Sequence, residues 1–497
     1  MSVEPLHRRP IEASSGANRT VWRRNEPRLP HRPTCSAQRH DARCRWQYRN
    51  HRLVKRLGGE LVQPVGELDV HFTGEPLWFV IGPVPPVEDD DLAAIVEEIA
   101  GGGPNYRLGL IPSRSTRFWP VVSKPGRAAV LPPCSLGCRD FEEVVANAEK
   151  FRPDIPFAVW RCGEFLCVYG DHGLGDGRLF LRLLQALTTS GAPADPLVRP
   201  ARVTRFPFSL ALWTGLRHRP SALSRGGWEL AKSIAVRARM RAPDPSQQRS
   251  APESIETSTV RSASDKPSTV WASSGSDYMR DLRKYRDEFH PGVSTTVMVM
   301  FFICASLKSA GINLSADVGI LTDLRRFLPA ETTTWANFVS VVDVPFSKGT
   351  SPEDFSMLMR REVLSYRSLL KLAAPLMVSR VRNSWFGQRA RRRHAEAPDG
   401  TDEARTTLTL SEFTKPEGNA SIGWAATAES RLAVMTDPAT RRHLVIILHP
   451  PAADRMQVTA RFFASHVDPE RVRIALNNAL KTPWESHATA ATEHGGQ

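Results

Sequence analysis

The sequence predicts a mixed α/β or α+β fold built as two lobes of similar size, and three observations predict it. Strand-like apolar runs and amphipathic helices are interleaved in both halves of the chain. A polar, Pro/Ser-rich stretch over residues 241–269 separates the halves and reads as a flexible surface crossing. No segment recurs at a solenoid period, and 497 residues of which 41% are hydrophobic suffice for two sizeable cores.

The elements follow in order. Residues 1–53 are rich in Arg, Pro and His and lack apolar periodicity, so a disordered extension is expected. It reads equally as a native basic tail or as the product of a misassigned start codon, since no Met lies between Met1 and Met240. The N-terminal lobe, residues 54–240, opens with strand-like LVQPVGELDVHF and PLWFVIGPV. DDDLAAIVEEIA then reads as a helix with acids at its N-terminus. PFAVWRC and EFLCVYG predict two strands joined by a short turn, and RLFLRLLQALTTS puts Leu179, Leu183 and Leu187 on one helix face. GGWELAKSIAVRARMR is a basic amphipathic segment, either packed on the protein or lying on an anionic membrane.

In the C-terminal lobe, residues 270–485, SDYMRDLRKYRDEF and TTVMVMFFICASLKSAG predict helices, and ADVGILTDL and NFVSVVDVPF predict strands. SPEDFSMLMRREVLSYRSLL starts as helices prefer, with Ser351 as N-cap and Pro352 behind it. RHLVIILHP and MQVTARFFAS predict paired strands, DPERVRIALNNAL a last helix, and residues 486–497 a disordered tail.

The stretch FLCVYGDHGLGDGRLF carries the chemistry: a strand, a glycine turn and a helix. A dinucleotide loop would need a third glycine where Arg178 stands, and neither a P-loop Gly-Lys-Ser/Thr nor calcium-loop oxygen ligands are present. What remains is His172 four residues before Asp176 and Gly177, the pattern H-x-x-x-D-G. A neutral imidazole at a strand end can take a proton from a hydroxyl or amine. Asp176, after the turn, would either be buried against a cation or simply cap the following helix, with His172 an ordinary turn histidine.

The net charge of +14 invites a polyanion reading, but arginine supplies 55 of the 66 basic residues beside 39 prolines, a general compositional bias without a nucleic-acid-binding module. Nucleic acid is therefore not an expected partner. Seven cysteines, few and odd in number, argue against a secreted disulfide framework and for the cytoplasm. CSLGC lacks a second ligand pair, so no metal site is expected. No apolar run reaches the roughly 20 residues a membrane span needs, leaving a weak peripheral contact at the inner membrane surface as the alternative.

EFLCVYG with DHGLGDG and a leucine-rich helix resembles the active-site segment of the condensation-domain and chloramphenicol-acetyltransferase-like acyltransferases, which carry HHxxxDG or HxxxD. LTDLRRFLP followed by WANFVSVVDVPF resembles the later D-L-R and G-N segments of the polyketide-associated and wax ester synthase-like branches. The resemblance covers about residues 54–485. It implies two acetyltransferase-like lobes in a V with an active-site tunnel between them. It makes His172 the catalytic base, Asp176 and Gly177 structural, and Arg325, with Arg326 as rival, the partner of Asp176. It places Asp171 and Asn337 at the tunnel. Asp171 replaces the family's first histidine, Ala336 a glycine, and Glu412 interrupts a Ser-Asn-x-Gly turn found in relatives. The implied activity is acyl transfer from acyl-CoA or a phosphopantetheinyl carrier-protein thioester to a hydroxyl or amine, in lipid or natural-product biosynthesis. No cofactor would be permanently bound. The alternative is an inactive relative that binds a carrier protein or acyl ligand.

Overall fold

The computed structural model describes residues 55–484 apart from several internal segments, the longest being 190–201, 242–265 and 374–404. The expected extension 1–53, most of the linker and the C-terminal tail lie outside the described residues.

The elements that build the site are, in chain order, helix α1 (Glu67–Phe72), strands β1 (Pro76–Gly82), β2 (Phe157–Cys162) and β3 (Phe165–Asp171), helices α2 (Gly177–Thr188), α3 (Pro207–His218) and α4 (Pro220–Arg241), and strand β4 (Pro267–Ser273). The second half supplies α5 (Thr295–Ser309), β5 (Leu314–Asp323), β6 (Val339–Pro345), α6 (Pro352–Leu364), α7 (Tyr366–Lys371), β7 (Thr406–Glu412), β8 (Arg431–Thr436), β9 (His443–His449), β10 (Gln457–Phe463) and α8 (Pro469–Ala479). The fold is α+β, as expected.

Two sheets organise these elements. The first is four-stranded in the order β8-β1-β3-β2 and wholly antiparallel. The second is six-stranded in the order β6-β5-β7-β9-β10-β4, with β7 parallel to both neighbours. β1 is buried along its whole length, which its continuous apolar run PLWFVIG already implies. α5 is buried over most of its circumference because TTVMVMFFICASL is apolar on every face, and it forms the core beneath the second sheet.

Four sequence expectations change. LVQPVGELDVHF is not one strand: it is a strand over Glu60–Pro64 and then α1, started by Gly66, whose N–H donates to the Asp69 carboxylate at 3.0 Å. β8, which the periodicity did not reveal, comes from the second half but pairs with β1, Arg431 opposite Gly82 through Thr436 opposite Leu77. The segment from Ser351 is two helices, because the Ser365 hydroxyl caps a new start at Tyr366 by accepting the Arg367 N–H. β4 begins three residues inside the expected linker.

A polar staple joins the sheets. Arg461 of β10 is 3% exposed and pairs with Asp437 at 2.9 Å and Glu149 at 2.6 Å, while its guanidinium lies 4.9 Å from the Trp78 ring of β1.

Candidate active site

β3 ends at Asp171, a single 3-10 turn spans His172–Leu174, and α2 begins at Gly177. The reversal is fixed locally. The Asp171 carboxylate accepts from the N–H groups of Gly173 at 2.7 Å and Gly74 at 2.9 Å, and the His172 N–H donates to the Glu75 carbonyl at 2.7 Å. Gly170 has to be glycine, since a Cβ there would lie 2.1 Å from the Phe180 ring. The His172 imidazole stacks on Phe72, 4.8 Å between centroids and 20° between planes. Its Nδ1 is buried without a hydrogen-bond partner.

Two buried ion pairs grip this turn. Asp176 meets Arg325 at 3.0 Å, both side chains 5% exposed. Asp176 also caps α2 through the Arg178 N–H and accepts from the Phe338 N–H at 3.2 Å, so capping and ion pairing coexist. Arg325 donates further to the carbonyls of Thr334 and Ala336 and to Asp323. Burial works against its charge, but Asp176 and Asp323 outweigh burial and raise its pKa. Arg326 points elsewhere, to the Asp323 carbonyl and the Thr322 hydroxyl.

The second pair, Asp69 with Arg107 at 3.0 Å, was not anticipated. Arg107 donates to the carbonyls of Leu174 and Gly173. It holds a left-handed backbone, φ 67°, which a non-glycine residue keeps only where its contacts repay the strain. Asp69 is fully buried, which raises its carboxyl pKa, and Arg107 and the N–H groups of Asn337 and Gly66 oppose that rise. Asn337 completes the grip by donating Nδ2–H to the His172 carbonyl at 2.6 Å. Consecutive carbonyls from 172 to 174 are thereby satisfied by side chains of Asn337 and Arg107, positioning the histidine from both sides.

His172 lines a cavity of about 410 Å³ between the two sheets. Leu77, Phe79 and Val434 face it from the first sheet, and Leu321, Val339 and Val445 from the second. Asp176, Gly177 and Arg325 also line it. Asp171 and Asn337, expected at a tunnel, do not, because one side chain is spent on amides of the turn and the other on the His172 carbonyl.

Glu75, Glu412 and His443 line the cavity and were not assigned to it from the sequence. Burial raises the Glu75 carboxyl, with the His172 and Arg114 charges opposing; burial likewise raises Asp171, opposed by its amide bonds and by His172. Glu412, whose position broke the expected turn, ends β7 and accepts from the Thr296 hydroxyl at 2.9 Å. The His443 Nδ1 accepts from the Ala439 N–H at 3.1 Å, so its Nε2 carries the proton and donates to the Thr409 hydroxyl at 2.9 Å. Burial pushes its pKa down to about 4.

No family model matches the sequence, and a search of curated proteins found no match. Solved structures do resemble the fold. The trichothecene 15-O-acetyltransferase TRI3 of Fusarium sporotrichioides aligns over 86% of this chain and 97% of its own, with a TM-score of 0.53 and 12% identity. Polyketide synthase associated protein 5 of Mycobacterium tuberculosis aligns over 85% and 98%, TM-score 0.48 and 14% identity. The EpoB cyclization-docking bidomain of Sorangium cellulosum aligns over 92% of each chain, TM-score 0.49 and 12% identity. The likeness to TRI3, at 12% identity, is one of fold: the chain shares the fold of an acetyltransferase, in line with the sequence resemblance.

Proposed function

We propose that the protein is an acyltransferase that moves an acyl group from a CoA or carrier-protein thioester to a hydroxyl or amine, with His172 as general base. The observation that supports this most is the placement of the His172 imidazole in a largely apolar cavity, on a turn held by two buried ion pairs. An apolar cavity suits an acyl chain, and rigid positioning suits proton transfer within hydrogen-bond reach.

With Nδ1 buried, His172 would act through Nε2. The acceptor oxygen or nitrogen attacks the thioester carbonyl as its proton passes to the imidazole. The tetrahedral adduct then expels the thiolate, which takes the proton back from the imidazolium. Glu75 and Asp171 lie close enough to the imidazole that its charge opposes the rise that burial imposes on their carboxyls. Arg325 and Asp176 position the base and need not touch the substrate.

Mass spectrometry of products formed by the full chain from a panel of acyl-CoA and acyl-carrier donors tests the reading. Acyl transfer that disappears in His172→Ala supports it. Transfer unchanged in that variant refutes the base, and binding of acyl donors without any turnover points to the inactive acyl-binding protein instead.

A further inference from the structure

The helical hairpin α3–α4 carries an apolar and basic face that the proposed reaction does not use. Phe206, Trp213 and Leu216 fall on one stripe of α3 and its N-cap and are 62%, 60% and 56% exposed. Trp228 and Ile234 of α4 are 63% and 56% exposed. Trp213 and Trp228 are the exposed tryptophans among the described residues.

The two faces point the same way. Gly215 of α3 and Gly226 of α4 both press on Tyr366 of α7; a Cβ on either would lie 2.7 Å and 3.0 Å from Tyr366 atoms. Trp213 and Trp228 each stand two residues from their glycine, about 200° around the helix, and so project away from α7 on the opposite side. The hairpin rests on the apolar cluster that includes Ala211, Tyr366 and Leu372, and Leu372 also lines the cavity.

Charge selects the occupant. Residues 207–241 hold seven Arg and Lys against the lone acid Glu229. Arg217, Arg225 and Lys232 flank the tryptophans at helical spacing, and Lys232 lies 5.4 Å over the Trp228 ring. Tryptophans outward, with long basic side chains beside them, match the headgroup layer of an anionic bilayer, where the ring sits at the interface and the cations meet lipid phosphates. A row of apolar groups from Phe206 to Ile234 is more extended than the small patch around one prosthetic-group serine that a carrier protein would present.

We infer that the α3–α4 hairpin is a docking face for an anionic lipid surface, holding the cavity wall against the membrane from which a lipophilic substrate would come. The test is flotation of the full chain with vesicles of phosphatidylcholine alone or with about 30% phosphatidylglycerol, at low and high salt. The chain should float with the anionic vesicles only, less so at high salt. Trp213→Ser with Trp228→Ser should weaken partitioning about tenfold or more, and Arg225→Glu with Lys232→Glu should weaken it at low salt. Both pairs are exposed, so unchanged thermal unfolding should confirm that each variant is folded. Undiminished flotation of the folded tryptophan variant would overturn the inference and assign binding to another basic segment. A wild-type chain that ignores anionic vesicles, or that binds an acidic carrier protein through these tryptophans instead, would also overturn it. None of these readings depends on catalysis by His172.

Discussion

Two histidines line the same cavity from opposite sheets, and they are built for different ends. His443 has both nitrogens engaged, one by a backbone N–H and one by the Thr409 hydroxyl, and burial holds it neutral down to about pH 4. His172 has one buried nitrogen without a partner and the other free to meet a ligand, with Glu75 and Asp171 nearby. A histidine whose hydrogen bonds are complete serves as a structural strut. One whose backbone is rigid and whose ring is unsatisfied is equipped to exchange a proton.

The largest effect expected from breaking this contrast is on rate. His172→Ala should lower acyl transfer by about 10²- to 10⁴-fold with little change in unfolding. His443→Gln should cost far less rate, and equal losses in steady-state kinetics would erase the distinction.

Next come the ion pairs that make His172 rigid. Asp69→Asn leaves the buried Arg107 without its counter-charge and should cost on the order of 3 kcal/mol in denaturant unfolding; Asp176→Asn leaves Arg325 only the half-exposed Asp323 and should cost somewhat less, each with reduced activity. If Asp69→Asn is silent in both, the second clamp is not part of the site.

The smallest effect is the pH dependence contributed by His443. Its folded pKa lies below the unfolded value, so its contribution to stability is whole above about pH 6.5 and is lost as pH falls through about 4. His443→Gln should flatten the loss of thermal stability over that interval, read by melting temperature from pH 7 to 4. His449, pushed down to about 3 by complete burial, acts in the same direction.

The sequence made the His172 side of this comparison legible and the His443 side invisible. H-x-x-x-D-G is a local pattern, and its Arg325 partner was reachable only because TDLRRF resembles a family segment. The choice over Arg326 follows from the 3-10 turn after β5, which buries one guanidinium and exposes the other. Asp69 and Arg107 left a weaker trace. Gly66 with Asp69 three residues on is a helix-start signal, but the apolar alternation around it read as a strand. Arg107 in a left-handed conformation has no sequence signature. His443 reaches the cavity only because β9 lies inside a sheet whose order does not follow the chain. β8 was missed for a related reason: the four central residues of RLAVMT are all buried, and a strand covered on both faces carries no alternation.

That strand has a consequence for how anything enters the cavity. The chain leaves the second sheet after β7, contributes β8 to the first, and returns as β9, so the two sheets are sewn together by a continuous backbone and hydrogen-bonded at the seam. Parting the walls like book covers would break either the six residue pairs of β8 with β1 or the bonds that the N–H groups of Leu432 and Val434 donate to Gln457 and Thr459 of β10. In the acyltransferase proposed above, walls stitched in this way favour end-on entry of a long acyl chain, so that the bore of the cavity, more than the affinity of its walls, would grade one chain length from another.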